Sequence, residues 1–317
     1  MSNGKKIRLA LIAGGKSGER EVSLEGARGV EAALDTDRYD ILRYDPADDL
    51  AALAADADKI DVAFILLHGP YGEDGTMQGF LELLGIPYQG SGVLGSAMAM
   101  DKNLAKTMYR LHDLPVAPWL MAVQEDRENP ERLLQELSLP LVVKPVRQGS
   151  SLGMSIAQNS EELGRAVAKA FEHDSQVMVE EYIRGREITV AVLGNDEPTA
   201  LPLVEIIPGD RYDFFDYEAK YTRGASREIC PAELDAEISA TARQYGIIAH
   251  HALQLRGYSR TDMMLDEGGN LYLLETNTIP GMTPTSLFPQ AAKAAGMDFS
   301  ALLDQLIDQA LADQQKP

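Results

Sequence analysis

Cysteine, histidine and positive charge are scarce in this chain of 317 residues. It has one cysteine, Cys230, and 5 histidines, so an intrachain disulfide and a cysteine-rich zinc site are both excluded. The histidines form no HxxxH pair or other spacing typical of zinc enzymes. The 29 basic residues are outnumbered by 49 acidic residues, which leaves a formal net charge of −20. Non-specific binding to nucleic acid or to an anionic membrane needs a basic surface, so we expect neither partner.

Long hydrophobic runs are also missing. No stretch approaches the roughly 20 apolar residues that cross a bilayer, and the apolar run at residues 9–13 is too short for a signal peptide. We therefore expect a cytoplasmic protein. Hydrophobic residues make up 45% of the chain and charged residues 25%, which is ordinary for a globular protein. The length predicts two or three domains.

The N-terminal third predicts an open α/β sheet. Apolar strands at residues 7–13 and 62–67 are each followed by a glycine-rich polar loop and then by a helical pattern. Ligands of such sheets collect at the carboxyl ends of the strands. Glu19, in the first loop, is well placed to meet a cationic group of a ligand. His68, which opens the second loop, fits a structural role and a ligand contact equally well.

The middle of the chain has a candidate phosphate-binding loop. Lys144 ends a predicted strand at residues 140–144, and Ser150 and Ser151 lie between glycines in the loop at residues 147–154. The loop could be a plain hairpin connection. The lysine at the end of the preceding strand favours phosphate binding, because backbone N–H groups and hydroxyls in such a loop can face an anion.

Three more charged residues, before and after this loop in the sequence, are candidates for a nucleotide site. Glu180 lies in a predicted strand at residues 176–183 and could accept a hydrogen bond from an adenine amino group, while Glu187 could meet a ribose. Lys102 lies in a predicted helix at residues 92–111 and could be an ordinary solvated lysine. None of these three residues is decisive alone.

Residues 258–278 predict two strands joined by a tight, glycine-rich turn. Side chains alternate along a strand, so Arg260 and Asp262 share one face of the first strand, and Glu275 and Asn277 share one face of the second. If these faces coincide, carboxylate and amide oxygens converge on a site that suits Mg²⁺. The alternative is an antiparallel pair whose polar side faces water.

Two irregular segments flank this hairpin. Residues 211–228 are polar and aromatic without clear periodicity, which is typical of a functional loop or lid. A long amphipathic helix is predicted at residues 231–255. After the hairpin, Gly281 in the turn at residues 280–284 can bring a backbone N–H close to a ligand. Two helices over residues 285–312 close the chain.

Short blocks follow one another in a specific order along almost the whole chain. They are Gly14-Gly15, Glu19-Arg20-Glu21-Val22-Ser23, His68-Gly69, Gly72-Glu73-Asp74-Gly75, Gly90-Ser91-Gly92, Met100-Asp101-Lys102, Val143-Lys144-Pro145, Gly149-Ser150-Ser151-Leu152-Gly153-Met154, Tyr217-Glu218-Ala219-Lys220-Tyr221, Arg260-Thr261-Asp262, Glu275-Thr276-Asn277-Thr278 and Pro280-Gly281-Met282-Thr283. In this order the blocks resemble the D-alanine–D-alanine ligase family of the ATP-grasp superfamily.

The resemblance implies a mixed α/β and α+β protein with the ATP-grasp fold. It implies an N-terminal open α/β, Rossmann-like domain at residues 1–100. A central domain at residues 101–187 and a C-terminal domain at residues 188–317, which carries the lid and the metal site, are then α+β domains that grip ATP. It also implies a homodimer.

The implied ligands are ATP, D-alanine and two Mg²⁺ ions, which Mn²⁺ can replace. The resemblance assigns Lys102 and Lys144 to the ATP phosphates, Glu180 to adenine and Glu187 to ribose. It completes the nucleotide-binding set with Ser151, Glu181, Ile183 and Lys220. It assigns the metal ions to Asp262, Glu275 and Asn277.

The resemblance also assigns the substrate and catalytic positions. Glu19 matches the residue at the ammonium of the first D-alanine, and Arg260 with the Gly281 N–H matches the group at its carboxylate. Lys220 and Ser286 match positions near the carboxylate of the second D-alanine and the phosphate. Ser150 and Tyr221 match residues that couple the serine loop to the lid. His68 belongs to the substrate-binding set.

The implied reaction is ATP-dependent ligation of two D-alanines through an acyl phosphate, which serves peptidoglycan precursor synthesis. Gln148 and Thr285 depart from the family pattern beside substrate positions, and Tyr221 resembles ligases that use an amine as second nucleophile. The alternatives are another ATP-grasp carboxylate–amine ligase, a ligase that joins D-alanine to D-lactate or D-serine, and a non-catalytic nucleotide-binding protein. A dinucleotide-dependent oxidoreductase is disfavoured because no GxGxxG follows the first strand.

Overall fold

The first sheet is parallel and comes from the N-terminal part of the chain. The computed structural model describes residues 5–209 and 226–313. The strands of this sheet run in the order β2-β1-β3 and are β1 (Ile7–Ile12), β2 (Tyr39–Tyr44) and β3 (Val62–Ile65). Its helices are α1 (Arg20–Ala33), α2 (Leu50–Ala55), α3 (Thr76–Leu84) and α4 (Val93–Met100). The open α/β sheet predicted here is confirmed.

The central sheet is antiparallel. Its strands run in the order β4-β7-β5-β6 and are β4 (Trp119–Ala122), β5 (Leu141–Pro145), β6 (Ser155–Ala157) and β7 (Val177–Glu181). The helices of this part are α5 (Lys102–Leu111), α6 (Glu131–Glu136) and α7 (Ser160–Ala170). Short 3-10 helices occur at Ala57–Lys59 and Gln124–Arg127.

The third sheet is also antiparallel and has the order β11-β10-β8-β12-β13, with β9 paired to β8. Its strands are β8 (Gly185–Leu193), β9 (Thr199–Ala200), β10 (Val204–Pro208), β11 (Ser226–Ile229), β12 (Tyr258–Asp266) and β13 (Leu271–Asn277). Its helices are α8 (Ala236–Ala252), α9 (Leu287–Ala294) and α10 (Phe299–Asp313). The boundary predicted at residues 187/188 falls inside β8, and the domain division stays a prediction.

The hairpin predicted at residues 258–278 is confirmed by its register. Arg260 lies opposite Asn277, and Asp262 lies opposite Glu275, so all four side chains share one face of the sheet. The Gly269 N–H donates a hydrogen bond of 3.1 Å to the carbonyl oxygen of Asp266 across the turn.

Other elements differ from the predictions. The single helix predicted at residues 92–111 is wrong, because the chain is extended at Asp101, which separates α4 from α5. The Asp101 carboxylate accepts hydrogen bonds from the N–H groups of Asn103 (3.1 Å) and Leu104 (3.0 Å), which caps α5. The sequence pattern predicts neither β2 nor β4, since both strands mix buried and half-exposed residues without strict alternation.

The two ends of the chain share one core. Leu11 and Phe64 of the first sheet pack in the same buried cluster as Phe288 of α9 and Ile307 of α10. The ring of Phe288 meets that of Tyr258 on β12 edge to face, with 5.4 Å between centroids. The loops of the first sheet are therefore held beside the hairpin. Among the described residues, no helix combines the length and apolarity needed to cross a membrane.

His250 is a buried polar residue, and only one of its two ring nitrogens has a hydrogen-bond partner among the described residues. It lies on α8 with its side chain fully buried against β12, where Nδ1 is 2.8 Å from the hydroxyl of Ser259. Its Nε2 has no hydrogen-bond partner among the described residues. Burial lowers the pKa of this imidazole to about 4 from 6.5, so it is neutral in the folded protein at neutral pH.

We predict that His250 makes the protein less stable in acid. Between pH 6.5 and about 4 the unfolded chain binds a proton here that the folded chain does not. The free energy of unfolding should then fall with decreasing pH by at most about 1.4 kcal/mol per pH unit from this group. Urea unfolding of His250→Asn across this window should show a smaller slope against pH. The exposed neighbour His251, changed to Asn, is the control, and an unchanged slope in His250→Asn would contradict the prediction.

Candidate active site

A cavity of about 400 Å³ lies between the central sheet and the third sheet. Its apolar walls include Val142 and Ile156 from the central sheet and Ile206 and Met264 from the third sheet. The predicted nucleotide-binding residues that line it are Lys102, Lys144, Ser151, Glu180, Glu181, Ile183 and Glu187. An apolar cavity with a few convergent charged groups suits a nucleotide, which combines an apolar base with anionic phosphates.

Glu180 lies on β7 with its carboxylate between two ammonium groups. Lys144 Nζ is 2.5 Å from Glu180 Oε1, and Lys106 Nζ is 2.7 Å from Glu180 Oε2. Burial raises the pKa of the Glu180 carboxyl, but the charges of Lys106 and Lys144 outweigh burial and lower this pKa to about 2. The carboxylate is therefore ionised and can only accept hydrogen bonds.

Lys106 is a site residue that the sequence analysis missed. It follows Lys102 by four residues on α5, and residues at this spacing share one face of a helix. This spacing is the signal that could have identified it. The structure buries Lys106 completely, and a buried ammonium group needs a negative partner, which here is Glu180.

Lys102 links the loop after β5 to the hairpin. Its ammonium group donates a hydrogen bond of 2.8 Å to the carbonyl oxygen of Gln148 and lies 3.2 Å from Glu275 Oε2. In the same loop Ser150 and Ser151 have φ values of 51° and 57°, a left-handed conformation that is uncommon for serine. Backbone N–H groups in such turns can converge on an anion.

The predicted metal-binding residues lie together on the hairpin. Asp262 accepts hydrogen bonds from the hydroxyl of Thr189 (2.6 Å), from Nη2 of Arg260 (2.8 Å) and from the amide of Asn277 (3.1 Å). Glu275 lies opposite Asp262 in the register. Among the described residues, no cluster of three or more His, Cys, Asp or Glu is arranged to hold a metal. Two carboxylates and one amide nevertheless form a donor set that fits a hard cation, which completes its shell with phosphate and water.

Glu19 lies at the start of α1 and meets the loop after β5. Its carboxylate accepts a short hydrogen bond from the hydroxyl of Ser150. A Cβ added at Gly69 or Gly149 would lie 3.0 Å or 2.9 Å from Glu19 Oε2. A side chain at either position would therefore push the carboxylate away from its present place.

The buried His68 and the half-buried Glu73 lie near Glu19. Burial lowers the pKa of the His68 imidazole, which favours the neutral ring. Glu73 Oε2 accepts a hydrogen bond of 2.8 Å from the Gly69 N–H. Burial, with the nearby charge of Glu19, raises the pKa of Glu73 to about 8, so this carboxyl carries a proton at neutral pH. The sequence analysis assigned no role to Glu73, although it belongs to the block that begins at His68.

The turn that carries Glu19 is anchored by an ion pair that the sequence analysis also missed. Arg20 Nη2 is 2.6 Å from Asp45 Oδ2, and Arg20 Nη1 donates a hydrogen bond of 2.8 Å to the carbonyl oxygen of Gly15. Asp45 Oδ1 accepts a hydrogen bond of 2.9 Å from the Gly15 N–H. Both charged side chains thus hold the backbone just before Glu19.

Gly281 and Ser286 lie in the turn after β13. The Ser286 hydroxyl accepts a hydrogen bond of 3.1 Å from the Thr283 N–H, and a Cβ added at Gly281 would lie 3.1 Å from Ser286 Oγ. Thr285 Oγ1 is 3.4 Å from Thr283 Oγ1. Ser286 therefore stabilises this turn by its own hydrogen bonds, at the start of α9.

Lys220 and Tyr221 lie outside the described residues, as does most of the predicted lid. Residues 226–228 of that lid belong to β11. Gln148, one of the two departures from the family pattern, donates a hydrogen bond of 3.0 Å from its amide to the carbonyl oxygen of His173.

Two family models match the chain. The model described as "D-ala D-ala ligase C-terminus" matches residues 108–308, and the model described as "D-ala D-ala ligase N-terminus" matches residues 45–91. A D-alanine–D-alanine ligase from Desulfotalea psychrophila is 60% identical over 305 residues, which cover 96% of this chain and 95% of the relative.

Solved structures agree with these matches. The chain resembles the crystal structure of D-alanine–D-alanine ligase from Bacillus anthracis complexed with ATP, with a TM-score of 0.85 and 36% identity, covering 98% of this chain and 99% of the other. It also resembles the VanG D-Ala:D-Ser ligase from Enterococcus faecalis, with a TM-score of 0.83 and 33% identity, covering 96% of this chain and all of the other.

Proposed function

The chain belongs to the D-alanine–D-alanine ligase family, and we propose that it joins two D-alanines into D-alanyl-D-alanine while ATP is converted to ADP and phosphate. The protein is a ligase with the ATP-grasp fold and acts in peptidoglycan synthesis. The observation that carries the residue assignments is the cavity between two sheets, where Lys102, Lys144, Asp262 and Glu275 converge.

In the first step, a carboxylate oxygen of the first D-alanine attacks the γ-phosphorus of ATP and ADP leaves. The product is an acyl phosphate, whose carbonyl carbon is a much better electrophile than a carboxylate. Lys102 and Lys144 stabilise the charge on the phosphates, and Glu180 accepts a hydrogen bond from the base. Glu19 binds the ammonium group of this D-alanine.

In the second step, the amine of the second D-alanine attacks the acyl carbon and loses a proton, and phosphate leaves. The tetrahedral oxyanion of this step would be stabilised by Arg260 and by the Gly281 N–H. Arg260 is held by two hydrogen bonds to Asp262, at 2.9 Å and 2.8 Å, which supports a guanidinium of defined orientation. No protein nucleophile takes part.

Asp262, Glu275 and Asn277 are the residues that would hold Mg²⁺, or Mn²⁺ in its place. Bound there, the metal ions would neutralise charge on the ATP phosphates. The support is the strand register, which brings these oxygen donors to one face of the hairpin.

We predict one phosphate released per D-alanyl-D-alanine formed when the protein is given ATP, Mg²⁺ and D-alanine, with products identified by mass. L-alanine should give neither product. Asp262→Ala and Glu275→Ala should lower the rate by about 100-fold or more, because each removes a carboxylate from the proposed metal site. ATP binding without turnover on any D-amino acid would overturn the substrate assignment. A mixed product with added D-serine or D-lactate would favour the alternative second substrate, as in the VanG ligase.

Gly149 offers a sharper test of the assignment of Glu19. In Gly149→Ala the new Cβ would lie 2.9 Å from Glu19 Oε2 and should push the carboxylate away from the substrate ammonium. We expect kcat/KM for D-alanine to fall by about 10-fold or more, with little change in melting temperature because only a flexible side chain must move. Gly18→Ala is the matched control, since a Cβ there meets nothing within 4 Å. Equal losses in both variants would show a general effect on the loops.

A homodimer is supported by an apolar patch on α3 and α4. Leu83 is 89% exposed, Leu94 is 56% exposed and Val93 is 37% exposed. A Cβ at Gly79, one turn before Leu83, would lie 3.6 Å from Val93 Cγ2, so the two helices meet here. Such a patch favours binding to a second copy of this chain.

The use of ATP supports a cytoplasmic location, which cell fractionation can check.

We predict that Leu83→Glu shifts the protein from the mass of a dimer to that of a monomer in sedimentation velocity. Leu139→Glu, which changes an exposed leucine in the central part of the chain, is the control and should leave the mass unchanged. A wild-type protein that sediments as a monomer at all concentrations would contradict the dimer.

A further inference from the structure

Helix α5 directs three polar side chains into the protein along one face. Lys102, Lys106 and Tyr109 are spaced by four and three residues, and all three are buried. Lys102 reaches Glu275 on the third sheet, at 3.2 Å, whereas Lys106 reaches Glu180 on the central sheet, at 2.7 Å. The two lysines of this helix therefore contact glutamates on opposite walls of the nucleotide cavity.

Lys106 differs from the other lysines of the site in its surroundings. It is fully buried and does not line the cavity, whereas Lys102 and Lys144 both line it. Its Nζ lies 5.7 Å from the centre of the Trp119 ring. Among the described residues, no acceptor meets this Nζ with the geometry of a hydrogen bond. Lys106 is thus held by charge, with Glu180 as the carboxylate in contact with it.

The two carboxylate oxygens of Glu180 contact two different lysines, and only one of these lysines lines the cavity. Lys144 contacts Oε1 from the cavity side and can turn to a phosphate. Lys106 contacts Oε2, is fully buried and does not line the cavity. If Lys144 moves to a phosphate, Lys106 is the cation that stays with the carboxylate.

We propose that Lys106 is a positioning residue that holds the Glu180 carboxylate in place and balances its charge, which frees Lys144 for the phosphates of ATP and orients Glu180 toward the 6-amino group of adenine. This inference rests on the proposed function for the roles of Glu180 and Lys144. An ionised carboxylate only accepts hydrogen bonds, so it selects a base that presents an amino group.

The charges around Glu180 support this arrangement. The pKa of the carboxyl is raised by burial and lowered further by Lys106 and Lys144, to about 2. Burial lowers the pKa of Lys106, and the charge of Glu180 opposes that effect. The charge of Lys144 also lowers this pKa, whereas that of Glu275 raises it. Without Lys106, Lys144 would be the only ammonium group left in contact with Glu180.

We expect Lys106→Met to raise both the Kd and the KM for ATP by about 10-fold or more, with a much smaller change in kcat, because Lys144 would then stay with Glu180. Wild-type protein should bind ATP more tightly than purine riboside triphosphate, which lacks the 6-amino group, and Lys106→Met should reduce this preference. Binding is measured by calorimetry without D-alanine. Arg110→Met is the matched control, since Arg110 lies on the same helix over the same Trp119 ring, at 5.1 Å, and should behave as wild type.

A double mutant separates this role from a general loss of stability. If Lys106 acts through Glu180, Lys106→Met should add little to the loss of ATP affinity once Glu180→Gln is present. Additive losses, or an unchanged base preference in Lys106→Met, would overturn the inference while leaving the ligase intact. Loss of D-alanyl-D-alanine synthesis in the wild type would instead overturn the proposed function, because calorimetry reports nucleotide binding without turnover.

Discussion

The antiparallel pairing of β12 with β13 is the constraint on which the rest of the site depends. It sets Asp262 opposite Glu275 and Arg260 opposite Asn277 on one face of the sheet. A shift of one residue would turn one pair of these side chains to the opposite face. On the other side of β12, the Thr189 hydroxyl of β8 donates to Asp262 at 2.6 Å. The acidic face of the site is therefore set by a sheet and not by loops.

Helix α5 joins this sheet to the central sheet. The Tyr109 hydroxyl is 2.6 Å from Thr276 Oγ1 on β13, so the helix is bonded to the hairpin through a buried polar contact. Lys102 and Lys106 then extend from the same rigid helix to Glu275 and Glu180. Because the two glutamates lie on different sheets, their separation depends on the position of α5 between the sheets.

The N-terminal sheet supplies the other side of the site. Its first turn is held by Arg20 and Asp45, and Glu19 reaches the loop after β5 through Ser150. Since the first sheet shares a core with α9 and α10, the turn after β13 and the Glu19 turn belong to one packed unit. The hydrogen bond between Ser150 and Glu19 then connects the loop after β5, and with it the central sheet, to that unit.

The sequence predicts the hairpin, its charged face, the open α/β sheet and the loop at Ser150, because alternation, glycine turns and the order of short motifs are local features. The pattern did not predict the break at Asp101, which depends on one capping carboxylate, or strand β4, whose half-buried residues follow no clear period. The contacts of Lys106, Glu73 and the Arg20–Asp45 pair are set by the tertiary structure. Lys106 meets Glu180, which lies 74 residues later in the chain, and Glu73 lies near Glu19, 54 residues earlier. Arg20 pairs with Asp45, 25 residues later. The burial that makes the charge of Lys106 depend on Glu180 is a property of the packed sheets and not of the local sequence.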